Sequence, residues 1–132
     1  MLLEDLGLYL EDNGIGIRGT NLFTGVLPAA APGNCVLLSE YPGAGSLRTS
    51  AGVASEQPRV QVMVRNADYA AARELAEEIY TLLDGVANED INEVRYHWIE
   101  ALSPPSILGG GNIDGSDRIR IVTNFMVMKE RG

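Results

Sequence analysis

The alternation of apolar and polar positions along the chain predicts two helices and about five strands. Residues 2–12 and 67–84 carry apolar side chains at helical spacing, and Asn66 precedes the second segment as its N-cap. Five other segments show strand periodicity or a short apolar run: residues 20–27, 35–41, 59–65, 91–102 and 118–129. This order predicts an α+β fold, with a single sheet of mostly antiparallel strands and two helices packed mainly on one face.

The same periods assign side chains to faces. In the helices, Asp5 is expected to face solvent and Tyr69 to join the buried stripe. In the strand over 91–102, Tyr96 and Trp98 point one way and Ile99 the other. The core face of the last strand is predicted to contain Ile119, Ile121, Thr123, Phe125 and Val127.

Two segments between these elements show no periodicity. Residues 42–57 and 104–116 are rich in glycine, serine and other small or turn-forming residues, and connections of this length are uncommon inside a compact domain unless they are functional. We interpret both as long loops within a single domain covering residues 1–132. Arg48 is the only charged residue of the first loop before Glu56, and we expect that loop to become ordered on contact with a neighbouring molecule.

Composition narrows the classes of protein that the chain can be. Its 132 residues contain 18 acids and 10 bases, a net charge of −8 that argues against a surface for gripping phosphate backbones. Nine of the bases are arginines, which are favoured at fixed contacts, although high-GC codon usage explains this equally well. The lone Cys35 excludes an internal disulfide framework and a cysteine-based zinc site.

The sequence shows neither targeting signals nor a membrane segment. The apolar start is interrupted by Glu4 and Asp5 and has no basic leader, and no stretch approaches the ~20 apolar residues of a spanning helix. We therefore expect a protein that is made and kept in a cytoplasm, with no membrane partner.

No motif assembles a catalytic or cofactor site. Residues 14–19 match the dinucleotide fingerprint, but a helix is predicted before them and a strand after them, the reverse of what pyrophosphate binding needs. His97 is the only histidine and lies in mid-strand, where a half-buried structural role is favoured. Cys35 opens a buried strand and is expected to be inert. We predict no metal, no cofactor and no enzymatic activity.

The unexplained feature is an outer strand face that is apolar and basic together. Such a mixture of apolar side chains, methionine and arginine is typical of assembly surfaces. The alternative is that a helix over 2–12 covers this face. The candidate interface residues are Arg48, Arg59, Arg65, Arg118, Arg120, Met126 and Met128.

Nearly the whole chain resembles a known family in its order of segments. No segment is a strong motif alone, but the collinear set resembles the minor capsid or tail-terminator (tail completion) proteins of long-tailed bacteriophages. The segments that carry the resemblance are Leu-Glu-Asp-Leu-Gly-Leu-Tyr-Leu-Glu-Asp-Asn-Gly-Ile-Gly (3–16), Thr-Asn-Leu-Phe-Thr-Gly-Val-Leu-Pro (20–28), Pro-Arg-Val-Gln-Val-Met-Val-Arg (58–65), Ala-Glu-Glu-Ile-Tyr-Thr-Leu-Leu (76–83) and Ile-Glu-Ala-Leu-Ser-Pro (99–104).

The resemblance implies a structural role in the virion. Members of that family are small α+β domains that form a six-membered ring at the head-proximal end of the tail tube. The ring stops tube polymerisation and joins the tail to the head, and the genome passes through it. The implied partners are other copies of the chain, the tail tube protein and a head-side neck or connector protein, at the tail–neck junction after assembly in the host cytoplasm.

Two alternatives stay open at this point. The chain could be another neck component, such as a head-completion or stopper protein, since these also form rings of small α+β domains. More distantly, it could be a small-molecule-binding domain or an enzyme that uses the sheet face and loops as a pocket, although no set of His, Cys, Asp or Lys residues converges.

Overall fold

The structure is a computed structural model that describes residues 2–49, 52–109 and 118–130. Within these ranges the chain forms two helices and seven strands. In chain order they are α1 (Leu2–Asp12), β1 (Leu22–Thr24), β2 (Cys35–Thr49), β3 (Gly52–Asn66), α2 (Tyr69–Asp84), β4 (Ala87–Ile91), β5 (Val94–Ala101), β6 (Ser106–Gly109) and β7 (Ile119–Glu130). The mixed α and β content is as predicted, but the sheet has seven strands rather than about five.

All seven strands belong to one sheet in the order β1-β2-β3-β7-β5-β4, and β6 pairs with β7. Only β1 and β2 run parallel; the other neighbours are antiparallel, as predicted for most of the sheet. Strand β7 is central, because one of its sides pairs with β3 while the other pairs first with β6 and then with β5.

The segment predicted as a loop over 42–57 is mostly strand. Strands β2 and β3 are both fifteen residues long and pair as an antiparallel hairpin around residues 50 and 51, which lie outside the described residues. Three register shifts between Tyr41 and Arg48 interrupt the pairing. Backbone pairing does not need alternating side chains, and bulges accommodate glycine and other small residues, so periodicity could not reveal these strand ends.

The strand predicted over 91–102 is present as β5, which begins only at Val94, and it forms a hairpin with β4, a strand that was not predicted. The chain reverses between them at Asn92 and Glu93. These two residues have positive φ angles of 51° and 67°, as a type I′ turn requires. In the second predicted loop, 104–116, β6 occupies Ser106–Gly109, and residues 110–117 lie outside the described residues.

The sheet curls so that both of its ends reach α1. Helix α1 contacts β1 and β2 at one end of the sheet and β4 at the other, whereas α2 contacts β3, β5 and β7. One hydrophobic cluster joins the two helices to alternate strand positions. Its members include Leu2, Leu6 and Leu10 of α1, Ala72, Ala76, Ile79 and Leu83 of α2, Val60, Val62 and Val64 of β3, and Ile121, Phe125 and Val127 of β7.

Three local predictions in the helices are wrong. Asp5 is completely buried rather than solvent-facing, and Tyr69 is 45% exposed at the start of α2 rather than buried. The N-cap of α2 is Asp68, whose carboxylate accepts from the backbone N–H of Ala70. Asn66 acts one step earlier, where its Oδ1 accepts from the N–H of Asp68, so the helix starts two residues later than predicted.

Candidate assembly surface

The strand face that points away from the hydrophobic cluster, here called the outer face, is the candidate surface. Helix α1 does not cover it, because Leu2, Leu6 and Leu10 pack into the cluster on the opposite, inner face. The cluster also excludes Phe23, Cys35 and Val122, the buried apolar residues of the outer side. The outer face consists of Cys35, Leu37, Ser39 and Tyr41 of β2, Arg59, Gln61, Met63 and Arg65 of β3, Arg120, Val122, Asn124, Met126 and Met128 of β7, Phe23 of β1, and Trp98 and Glu100 of β5.

One end of the outer face is built around Arg59. This residue lies opposite Met126 on β7 and Tyr41 on β2. Its Nε atom is buried and makes no hydrogen bond within the described part of the chain. Burial raises the pKa of the Tyr41 hydroxyl, and the positive charge of Arg59 opposes that shift. A buried donor without an acceptor costs ~1–3 kcal/mol, so the Nε of Arg59 is a destabilising group within the described part of the subunit.

Met128 extends the same end toward β5, where a bulge changes which side chains are on the surface. Tyr96 pairs with Lys129 and Trp98 with Met128, so His97 is the extra residue of the bulge. Trp98 therefore lies on the outer face, and Ile99 is buried together with Tyr96. The prediction from strict alternation was wrong on Trp98 and Ile99, because one inserted residue exchanges the two faces beyond it.

A polar row crosses the middle of the outer face. Ser39, Gln61 and Asn124 lie side by side on β2, β3 and β7. The Gln61 Nε2 donates to the Asn124 Oδ1 at 3.1 Å. Together with Glu40 and Tyr41 they line an open depression of about 420 Å³. The row separates the Arg59 end of the face from a second basic group.

That second group contains Arg65, Arg118 and Arg120. Arg65 lies opposite Arg120, and its Nε and Nη2 atoms donate to the carbonyl oxygens of Gly33 and Pro32 at 3.1 and 2.9 Å. The Arg118 guanidinium packs so closely on Gly33 that a side chain at that position would collide with it. These arginines therefore hold the segment before β2 against the end of the sheet.

Cys35 belongs to this end and is buried, as predicted. It lies opposite Arg65. Burial raises the pKa of its thiol above the ordinary 9.0, more than the nearby guanidinium lowers it. The neutral thiol is the poorer nucleophile, and the lack of reactivity of Cys35 stays a prediction.

The structure thus divides the predicted interface residues into two groups on one face. Arg59, Met126 and Met128 lie at one end. The other end contains Arg65 and Arg120, with Arg118 just before β7. Arg48 belongs to β2, where its backbone is opposite Val53, but its side chain lies outside the described residues.

Sequence reasoning missed a buried polar cluster on the inner face. Tyr96 donates its hydroxyl proton to the Asp5 Oδ2 at 2.8 Å, and Asn92 Nδ2 donates to the other oxygen at 2.9 Å. Lys129 is only 1% exposed; its Nζ lies 3.3 Å from Glu56 Oε2 and 5.9 Å from the centre of the Tyr96 ring. A signal was present, because Lys129 continues the two-residue period of Phe125 and Val127.

The surroundings of Tyr96 favour its protonated form. Burial raises the pKa of the hydroxyl most strongly. The hydrogen bond to Asp5 and the negative charges of Asp5 and Glu56 act in the same direction. The cluster therefore ties α1, β3, β5 and β7 together by satisfied polar contacts in the core.

The other sequence candidates show no catalytic arrangement. Residues 14–19 connect α1 to β1, the predicted helix-to-strand order, and His97 is half-buried in its bulge. Within the described residues, no group of three or more His, Cys, Asp or Glu side chains could hold a metal ion. No helix in these ranges has the length and apolar character needed to cross a bilayer.

A curled sheet with two helices and one face that neither helix covers defines a small α+β protein. A solved chain described as "Virion of native gene transfer agent (GTA) particle" shares this fold, with a TM-score of 0.57 and 21% sequence identity over 86% of this chain and 81% of that chain. No curated protein matches the sequence significantly. The sequence model of the family described as bacteriophage tail terminator protein matches residues 9–131.

The chain belongs to the bacteriophage tail terminator family. It is therefore a structural, tail-related component of a phage particle. The resemblance seen in the sequence is confirmed at this level.

Proposed function

We propose that this protein acts as a single domain that assembles into a ring of six copies on the head-proximal end of the tail tube. The ring stops tube polymerisation and provides the surface that joins the tail to the head. The observation that carries this proposal is the family match over residues 9–131. The partners are other copies of the chain, the tail tube protein and a head-side neck protein, at the tail–neck junction of the virion after assembly in the host cytoplasm.

The outer face supports this proposal by offering a contact surface. A cyclic ring needs two different complementary surfaces on each subunit, and a sheet face that neither helix covers supplies one of them. The unsatisfied Nε of Arg59 marks a point on that face where an acceptor is missing. A net charge of −8 is compatible with DNA passing through the ring without sequence-specific binding, because like charges discourage adhesion.

Removal of the gene from the phage tests the role directly. Electron micrographs of the resulting lysates are expected to show overlong tail tubes, because nothing stops polymerisation. Free tails of normal length would overturn the proposal and indicate a head-completion or stopper protein instead.

Substitution of Arg118 and Arg120 by Glu tests the contribution of the outer face to assembly. The double variant is expected to impair the formation of normal-length tails more than it lowers the temperature of thermal unfolding. Arg95→Glu is the control, because Arg95 pairs with Asp90 on the β4–β5 hairpin, at the opposite end of β7 from Arg118 and Arg120. Equal defects in both variants would show that the effect is one of charge alone.

Deletion of residues 44–54 tests the hairpin that replaces the predicted loop. The described residues of this segment lie in the far ends of β2 and β3, where Arg48 pairs with Val53 and Thr49 with Gly52. The shortened chain is expected to fold and to lose tail termination. Infectious particles with tails of normal length would contradict a role for the hairpin.

A further inference from the structure

Two groups of charged residues in the described ranges, one mainly basic and one mainly acidic, lie on opposite sides of the molecule. Arg59 and Arg65 lie on the outer face of the sheet. Helix α2 buries Ala72, Ala76, Ile79 and Leu83 toward the inner face, so its opposite side points to solvent. That exposed side of α2 carries Glu74, Glu77 and Glu78.

The acidic side of α2 is only partly neutralised by its own subunit. Arg73 pairs with Glu77 at 3.1 Å, one helical turn away. Glu74 and Glu78 are exposed, and neither forms an ion pair with any residue in the described ranges. They are four residues apart on one helix face, where like charges repel each other. A cation from outside the subunit would relieve that repulsion.

The two arginines of the basic side lack anionic partners among the described residues, as two of the glutamates on α2 lack cationic ones. Arg65 donates to the carbonyl oxygens of Gly33 and Pro32, which are uncharged acceptors, and it forms no ion pair with a residue in the described ranges. Arg59 has a buried Nε without an acceptor in the described part of the chain. A guanidinium is best satisfied by a carboxylate, which accepts two parallel hydrogen bonds and neutralises the charge.

The two surfaces also match in length. Arg59 and Arg65 are six residues apart on β3, or ~20 Å at ~3.3 Å per residue. Asp84, whose carboxylate also accepts from the backbone N–H of Ala101, lies ten residues after Glu74, or ~15 Å along α2 at ~1.5 Å per residue. Arginine side chains are long enough to cover the difference, so a helix lying along β3 can reach both arginines.

The geometry points to a contact in which the outer face of one copy binds the exposed side of α2 of the next copy. Arg59 pairs with Glu74 or Glu78 of the neighbour, and the helix lies along β3. The two surfaces are on opposite sides of the subunit, so the contact is head to tail and repeats around a closed ring. This inference rests on the proposed ring and states which surfaces form it.

Reciprocal charge reversal tests the contact in phage-producing cells that lack the natural gene. One variant is Arg59→Glu, and the other is Glu74→Arg with Glu78→Arg. Each variant alone brings like charges together at every contact and is expected to give overlong tails and an infectious titre lower by about 10-fold or more. Arg95→Glu changes the charge by the same amount as Arg59→Glu, at a residue that pairs with Asp90 on the β4–β5 hairpin, and it is expected to retain the wild-type titre.

Co-expression of the two variants tests directly whether the two surfaces contact each other. In an alternating ring, the reversed outer face of one variant meets the reversed α2 of the other, and the remaining contacts keep their natural charges. Normal tails and a titre within about threefold of wild type are therefore expected. This rescue requires a head-to-tail contact and an even number of subunits, so it also agrees with a six-membered ring.

Several outcomes would overturn the inference. One is a normal titre for either variant alone, and another is failure of co-expression to restore tails although both variants unfold at the temperature of Arg95→Glu. If Arg59→Glu is unstable, Arg59→Gln replaces it, with the same expected loss and a weaker rescue. Overlong tails in the gene deletion together with failed rescue would refute only this contact, whereas normal tails in the deletion would refute the proposed function.

Discussion

The two faces of β7 show how differently one strand can be used. Phe125 and Val127 are completely buried on the inner face, where both helices join the hydrophobic cluster. Met126 and Met128, their direct neighbours in sequence, lie half-buried on an outer face that neither helix covers. The inner face of β7 therefore contributes to the stability of the fold, while its outer face is available for contacts with other molecules.

Polar groups follow the same division. On the inner face, Tyr96, Asp5 and Lys129 are buried with hydrogen-bond or ion-pair partners inside the subunit. On the outer face, the Arg59 Nε is buried without an acceptor in the described residues. The buried polar groups of the inner face are thus satisfied within the subunit, whereas no described residue satisfies this donor of the outer face.

Truncation of adjacent side chains on the two faces gives the largest expected difference. Phe125→Ala should lower the free energy of unfolding by ~3–5 kcal/mol, because it leaves a cavity in the cluster. Met126→Ala should lower it by less than ~1 kcal/mol. Urea unfolding followed by circular dichroism measures both, and similar losses would break the distinction between the faces.

The next largest loss of stability is expected at the ion pair between Lys129 and Glu56. Removal of either charge should lower the free energy of unfolding, but by different amounts. Glu56→Gln leaves the cation of Lys129 in the core without its carboxylate, at a cost of ~1–3 kcal/mol. Lys129→Met should cost less, because it removes the buried charge and the side chain of Glu56 is 36% exposed and can be hydrated. The reverse order of the two losses would contradict this account of the inner face.

Alkaline pH should act on the inner face through Tyr96. The folded protein holds the pKa of this hydroxyl well above its ordinary 10.0, so the stabilisation is fully present below pH 10. Above that pH the unfolded chain releases the proton first, and stability should fall by up to ~1.4 kcal/mol per pH unit from this residue. Thermal unfolding between pH 8 and pH ~11 measures the slope.

Tyr96→Phe should reduce that alkaline slope, since the titrating hydroxyl is removed. Some slope should remain, because burial also raises the pKa of Tyr9 and of Tyr41. Tyr69→Phe is the matched control at a position that is 45% exposed. A slope that is unchanged by Tyr96→Phe would mean that the alkaline transition arises elsewhere in the chain.

The smallest effect on stability is expected at Gly33, in the segment that precedes β2. Gly33→Ala would place a methyl group against the end of the flexible Arg118 side chain, which can move aside at a cost of less than ~1 kcal/mol. Displacement of that guanidinium should nevertheless reduce the share of normal-length tails in lysates. Ala30→Ser in the same segment serves as the control, and a loss of stability as large as that of Phe125→Ala would show that the outer face also supports folding.

The regular parts of the fold followed from the sequence because their periods are uninterrupted. Helices α1 and α2 and the inner positions of β3 and β7 were found from spacing alone, and so were the outer positions of Arg59, Arg65 and Arg120. Each of these residues lies in phase with neighbours whose burial or exposure is unambiguous.

The errors arose where the backbone breaks its own period. The bulge at His97 moved Trp98 to the outer face, and register shifts allowed β2 and β3 to continue through residues without alternation. The error on Asp5, which was predicted to face solvent, has a different cause. The same cause explains why the burial of Lys129 was not predicted. A charged residue is expected at the surface unless its partner is known, and the partners of these two are distant in the sequence.

The burial of Lys129 has a consequence for chemical labelling. It is the only lysine among the 132 residues, and it is almost completely shielded in the folded subunit. Amine-reactive reagents should therefore modify this side chain only when it becomes accessible. That requires either opening of the core or separation of β3 from β7 near Glu56. The rate of acylation of Lys129 therefore measures how often the subunit opens at this site.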